Sequence, residues 1–279
     1  MESSQVQTPD GISWYTQHYN RTSPATPIIL IPSGEGDCHN LHTLATLLSI
    51  GPHAHPVLTF DNPGFSRTTA PPDAIYAITP HLFATQILTL LDTLHIPRAI
   101  FFGNSSGACA VLALTILHPS RVAAAIVHEV PLTPSPLFSA QASKSDDQIS
   151  DWCAYFFANH FIEQDANDGR VKWDALGPEY HARLRKNFPV WIHGIVESEF
   201  TAKAGELVTG EALKGTGVPV FWTVGALSER GHWARDFEVA EAAGVEVRTD
   251  VLPCLHFPYV SVPERLAGWI GECVGEAGE

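Results

Sequence analysis

Short apolar runs alternate with longer stretches of helical periodicity along most of this chain. TPIILI (26–31) and PVLTF (56–60) are uncharged runs followed by the turn segments PSGEG and DNPGFSR, and each predicts a buried strand. A helix is expected over about 39–50 between them. PHLFATQILTLLDTLHI (80–96) carries apolar residues at helical spacing, AIFFG (99–103) reads as a strand, a helix follows to about 118, and AAAIVHEV (123–130) is the next strand. This rhythm predicts a mainly parallel sheet covered by helices on both faces.

The alternation then stops. PLTPSPLF (131–138) is Pro-rich and leaves the sheet, and residues 145 to about 213 are helix-like and rich in aromatics, without a convincing strand. Strand and helix resume with VPVFWTV (218–224), a helix near 233–243, VEVRTDVL (245–252) and a last helix from about 260. The expected organisation is a core of residues 1–132 and 214–279 carrying a helical cap of residues 133–213. No internal repeat or low-complexity tract interrupts it.

Two serines sit where a predicted strand turns into a predicted helix, in GNSSGA (103–108). Only Ser105 satisfies G-x-S-x-G, with Gly103 and Gly107 flanking it. A nucleophile on such a reversal stands above the sheet, and the small neighbours let helix and strand pass closely. The amide of Ser106 opens the helix and faces the same place, as one half of an oxyanion site. The second half is expected in the loop after 26–31, where Gly34 lets backbone approach a substrate, with Ser33 beside it.

A serine hydroxyl needs a base, and the base needs an orienting acid. Among fourteen histidines, His256 in PCLHFPYV lies just past the last predicted strand, at the same sheet edge and after the nucleophile in chain order. Three carboxylates stand at suitable strand ends: Glu129, Glu229 and Asp236. Glu129 is favoured because it closes an otherwise apolar strand, where an unpartnered carboxylate would be costly. The other two lie in LSERGHWARDF (227–237), which reads as a solvated loop.

Composition narrows the ligand. The 279 residues are 45% hydrophobic and 16% charged, with 30 acidic against 16 basic side chains and a formal charge of -14. That balance excludes nucleic acid and anionic membrane as partners and suits a small apolar ligand. Five widely spaced cysteines without a CxxC pair read as reduced thiols. No secretion signal and no apolar run of about 18 residues is visible, so a cytoplasmic protein is expected. HAHPVL (53–58) lacks the Asp-His continuation of an HxHxDH metal site and HNLH (39–42) lacks a third ligand, so neither metal nor cofactor is expected. A homodimer is compatible with the sequence. Epoxide hydrolases and dehalogenases would need an aspartate where Ser105 stands.

These features resemble an α/β-hydrolase: an α/β fold with a mostly parallel central sheet flanked by helices and an inserted helical cap. DNPGFSR, GNSSGA, HEVP, HARLRKNFPVW, FWTVGA and LHFPYVS further resemble the fungal zearalenone lactonases, which open a macrocyclic resorcylic acid lactone. The resemblance runs from GISWY to the last helix and includes the cap. It implies a catalytic triad of Ser105, Glu129 and His256, and a substrate-contacting role for Trp191. With Trp191, the residues Ser33, Phe138, Leu255 and Phe257 are candidates for contact with a small apolar lactone. Two segments depart from the family pattern, NHFIEQDANDGRV (159–171) and ALSERGHWARDF (226–237), and Ser33 stands where some relatives carry an acid.

Overall fold

The computed structural model of the protein describes residues 1–51, 54–162 and 168–279; His53 of HAHPVL and positions 163–167 of the departing segment lie outside the described residues. One sheet organises the chain. Its strands are β1 (Glu2–Gln7), β2 (Ser13–Tyr19), β3 (Ile28–Ile31), β4 (Val57–Phe60), β5 (Ala99–Asn104), β6 (Val122–His128), β7 (Val220–Thr223) and β8 (Val247–Arg248), in the order β1-β2-β4-β3-β5-β6-β7-β8. From β4 through β8 every pairing is parallel, while β1 and β2 add an antiparallel pair at one edge.

The apolar runs became strands because every residue of β3, β4, β5 and β6 is buried. That is the burial expected of parallel strands covered on both faces. The sequence reading did not anticipate β1 or β2. The strand ESSQVQ is polar and exposed along the sheet edge, so it carries no apolar signal, and its pairing with SWYTQHY defines it. At the opposite edge the run 245–252 contributes only Val247 and Arg248, both half-buried and paired with β7 alone.

Helix Ser106–Leu117 follows β5 and is buried from Ser106 to Thr115. It packs against β5, β6, helix Pro80–Thr93 and helix Phe200–Leu207. With neighbours on all sides it is apolar all round rather than striped.

Between β6 and β7 the described residues form helices joined by turns, with no strand among them. The insertion contains helices Pro136–Ser139, Asp146–Phe156, Gly169–Ala175 and Pro178–Val190, then Phe200–Leu207 and Gly210–Lys214. A capping box of Ser145 and Gln148 starts the second of these. Two wide π-helical turns, Phe157–Ile162 and Trp191–Val196, continue the helices before them. Pro189 lies two residues before the second π turn. It supplies no N–H to the helical ladder, which fits a change of winding there. The last two helices of the insertion pack on core helices Ser106–Leu117 and Ala234–Ala243.

The insertion is bolted to the core through helix Pro178–Val190. Arg183 Nε donates to Asp37 Oδ2 at 2.6 Å, and Asn187 Nδ2 donates to the Glu35 carbonyl at 2.7 Å and to Ser66 Oγ at 2.8 Å. Arg67 joins Asp37 and Asp61 beneath, at 3.0 and 2.7 Å. Two fully buried carboxylates thus share two guanidinium groups.

The reversal after β5 is the tightest place in the fold. A methyl carbon on Gly103 would lie 2.7 Å from the Ala108 nitrogen, and one on Gly107 would lie 2.6 Å from the Ile31 carbonyl. Both obstacles are backbone, which cannot swing aside. Gly103→Ala is therefore expected to lower unfolding free energy by about 2 kcal/mol or more, read from the denaturation midpoint. An unchanged midpoint would contradict this packing.

Candidate active site

Parallel strands bring their C-terminal ends to one rim, where ligand sites of open α/β sheets gather. The loops after β3, β5, β6 and β8 deliver Gly34, Ser105, Glu129 and His256 to that rim. Ser105 is held at φ 55 and ψ −127. That backbone is uncommon for a residue with a side chain, and such strain persists only where surroundings impose it. Here the Ser105 amide donates to the His128 carbonyl at 3.1 Å, and its own carbonyl accepts from the Cys109 amide at 3.1 Å. Ser106 begins the helix, whose first amides have no acceptor within it.

Glu129 follows β6 with φ 46 and no exposure to water. Its amide donates to the Thr223 carbonyl at 3.0 Å. Oε1 accepts from the Gly225 amide at 3.0 Å and Oε2 from His256 Nδ1 at 2.6 Å. Burial alone would raise its pKa, but neighbouring His128 and the hydrogen bond from His256 outweigh burial and hold it near 2. His128 is fully buried and bonded to Thr223 Oγ1 at 2.9 Å, and burial pulls it down to about 4. His128 is thus neutral near pH 7, so its attraction fades there and the donors His256 and Gly225 keep Glu129 ionised.

The other two candidate acids are engaged elsewhere. Asp236 Oδ2 accepts from the Val130 amide at 2.9 Å and Trp222 Nε1 at 3.0 Å, and burial pushes its pKa well above the carboxylate range. Glu229 is exposed, 3.6 Å from His232.

His256 is fixed on several sides. Because Glu129 accepts at Nδ1, that nitrogen carries the proton and Nε2 presents its lone pair. The backbone carbonyl of His256 accepts from Asn104 Nδ2 at 2.9 Å, so the residue preceding Ser105 holds the loop bearing the imidazole. Trp233 stacks on the ring at 5.5 Å and 10°, and Phe161 lies against it at 4.3 Å. Those two rings come from segments 159–171 and 226–237, the two that the sequence reading set apart.

Trp191 opens the second π turn and lies on the Gly34 loop. A methyl carbon on Gly34 would be 2.8 Å from its Cε2, so the contact requires glycine. Trp191 packs edge-on against Phe138 at 4.9 Å and Phe157 at 5.5 Å. Phe138 also meets Trp152 and Phe156. Phe257 is fully buried among Phe157, Phe161, Trp173 and Tyr259. Leu255 is half-buried. The Ser33 hydroxyl donates to the carboxyl group of Glu35.

The sequence reading missed Glu35, Asn104, Phe161, Trp233 and Tyr259. Glu35 and Tyr259 sit inside quoted motifs, PSGEG and LHFPYVS, but their roles depend on partners far away in the chain. Among the described residues, no group of three or more His, Cys, Asp and Glu gathers as a metal site would require, and no helix is long and apolar enough to cross a membrane.

The chain is similar to known proteins along its whole length. The family described as alpha/beta hydrolase fold matches residues 26–205. A zearalenone hydrolase of Bionectria ochroleuca is 35% identical over 270 residues, covering 96% of both chains. A zearalenone hydrolase of Cladophialophora bantiana is 34% identical over 275 residues, covering 96% of this chain and 95% of the relative. Among solved structures, an enol-lactonase from Burkholderia xenovorans superposes with a TM-score of 0.80 at 18% identity, over 98% of this chain and all of its own, a likeness of fold.

Buried His128 gives stability a defined pH dependence. The unfolded chain protonates this imidazole below its ordinary 6.5, whereas the folded protein resists until about 4. Stability is therefore lost as pH falls from 6.5 to 4, by about 3 kcal/mol from this group. His128→Asn should flatten the wild-type fall in melting temperature over that window. Parallel curves for the two proteins would contradict the assignment.

Proposed function

The chain belongs to the zearalenone hydrolase family of α/β-hydrolases, and we propose that it opens the ester ring of a macrocyclic resorcylic acid lactone of the zearalenone type by Ser-His-Glu nucleophilic catalysis. The observation that carries this reading is the buried 2.6 Å bond from His256 to Glu129, at the rim that also holds the strained elbow of Ser105.

Ser105 Oγ attacks the lactone carbonyl while His256 Nε2 takes its proton. Glu129 holds the tautomer that leaves Nε2 free and stabilises the imidazolium that forms. The amides of Gly34 and Ser106 receive the charge developing on the carbonyl oxygen. Collapse breaks the ring C–O bond, and the proton on His256 passes to the departing alkoxide. That transfer matters because the alkoxide remains tethered to the acyl group and would otherwise close the ring again. Water, activated by the same imidazole, then releases the acid and restores Ser105.

Residues 133–213 act as the cap over this chemistry, on the core of residues 1–132 and 214–279. Trp191 and Phe138 form its apolar roof above Gly34, with Ser33, Leu255 and Phe257 around the rim. A broad apolar roof suits an uncharged macrocycle and limits water around the oxyanion.

Ser105→Ala should abolish ring opening, followed by mass spectrometry, while still binding the lactone; turnover at the wild-type rate would overturn the mechanism. Glu129→Gln should lower kcat by about 10²- to 10⁴-fold, by analogy with serine hydrolase triads. Asp236→Asn should keep kcat well above the Glu129→Gln value. If the two variants exchange these effects, the acid is Asp236.

A further inference from the structure

We infer that Glu35 is a positioning residue that sets the oxyanion loop against the nucleophile and the base. The inference rests on the catalytic reading above, which makes Gly34 an oxyanion donor and Ser105 the nucleophile. Glu35 follows Gly34 directly and is completely buried, although its hydrogen bonds come from neutral groups rather than from a lysine or arginine. Burying a carboxyl group is expensive unless every oxygen is satisfied, and an apolar side chain would fill the space without that cost. What the group adds is connection.

Its two oxygens reach in different directions. Oε2 accepts from the hydroxyl of Ser33, on the other side of Gly34, so the side chain closes the turn around that glycine. Oε1 accepts from Asn40 Nδ2 at 2.7 Å and from the Tyr259 hydroxyl at 3.0 Å. Burial, and then the charge of Glu35, keep the Tyr259 phenol protonated and donating. The same hydroxyl stands 3.2 Å from Asn104 Oδ1, and Asn104 Nδ2 holds the His256 carbonyl at 2.9 Å. Asn104 is the residue before Ser105, and Tyr259 is three residues beyond His256. One buried carboxyl group therefore links the Gly34 turn, the nucleophile strand and the base loop, while its own carbonyl accepts from Asn187 of the insertion at 2.7 Å.

Such a residue touches no substrate, so its loss should appear in the transition state rather than in binding. Misplacing the Gly34 amide by a fraction of an ångström is expected to lower kcat about 10- to 100-fold. The test uses Glu35→Gln, Tyr259→Phe and the double variant, with zearalenone turnover and with phenylboronic acid as an oxyanion probe. With that probe the Ser105 oxygen bonds to boron, the boron becomes a tetrahedral anion and the serine proton passes to His256. Glu35→Gln should lose kcat and boronate affinity by the same factor, with KM within about threefold. Lactone affinity on a Ser105→Ala background should also change by less than about threefold. The double variant should be little worse than the more damaging single variant, because both substitutions disturb the same chain from Glu35 through Tyr259 to Asn104.

A folded Glu35→Gln enzyme with wild-type kcat and boronate affinity would overturn the inference, as would losses that multiply in the double variant. If Glu35→Gln does not fold, Tyr259→Phe alone must lower kcat and boronate affinity at constant KM, and wild-type values there overturn the inference equally. Failure of wild-type protein to form the boronate adduct would instead remove the serine mechanism beneath it.

Discussion

A carboxylate sealed from water at the end of an apolar strand is the constraint on which the rest of this structure turns. Glu129 has no exposure, and its charge is tolerable only because donors meet it on both oxygens. One donor is a backbone amide at the end of β7, so the two strand ends must stay in register. The other is His256, so the loop after β8 cannot wander without stranding a buried charge, a penalty of several kcal/mol. On the proposed mechanism, that penalty keeps the imidazole oriented when no substrate is present.

A second group of buried acids does comparable work on the other side of the rim. Asp37 and Asp61 share Arg67, and Arg183 reaches from the insertion to Asp37. Asn187, one helical turn further along, grips the Glu35 carbonyl and Ser66. The helix that carries these groups leads directly into the π turn bearing Trp191, so the roof and the Gly34 loop are fixed by the same contacts. Segments 159–171 and 226–237 contribute at His256, where Trp233 stacks on the imidazole and Phe161 lies tilted against it. On the proposed mechanism both rings lie beside the catalytic base.

Much of this was legible in the chain. Fully buried strands betray themselves as uncharged apolar runs, and the elbow does so because its backbone contacts exclude any side chain at Gly103 and Gly107. His256 and the candidate acids Glu129, Glu229 and Asp236 were expected at one rim because parallel strands bring loop ends there. The choice of Glu129 among the three leaned on the family resemblance. Strand β1 was not legible, since ESSQVQ is a polar edge whose strand character comes from its neighbour. The extent of β8 was not legible either, because apolar residues in 245–252 continue past the last ladder bond. Glu35, Asn104 and Tyr259 escaped for another reason: a buried polar network is defined by partners far apart in sequence, and no local pattern encodes it.

The central claim is that the hydroxyl of Ser105 becomes covalently acylated by the opened lactone. Acid quenching of wild-type protein during turnover of zearalenone, followed by proteolysis and peptide mass spectrometry, tests it most directly. The account predicts that the peptide containing Ser105 gains the full mass of the lactone, as an ester at that residue. Adduct on a different side chain, or product that accumulates while Ser105 stays unmodified at every quench time, would contradict it.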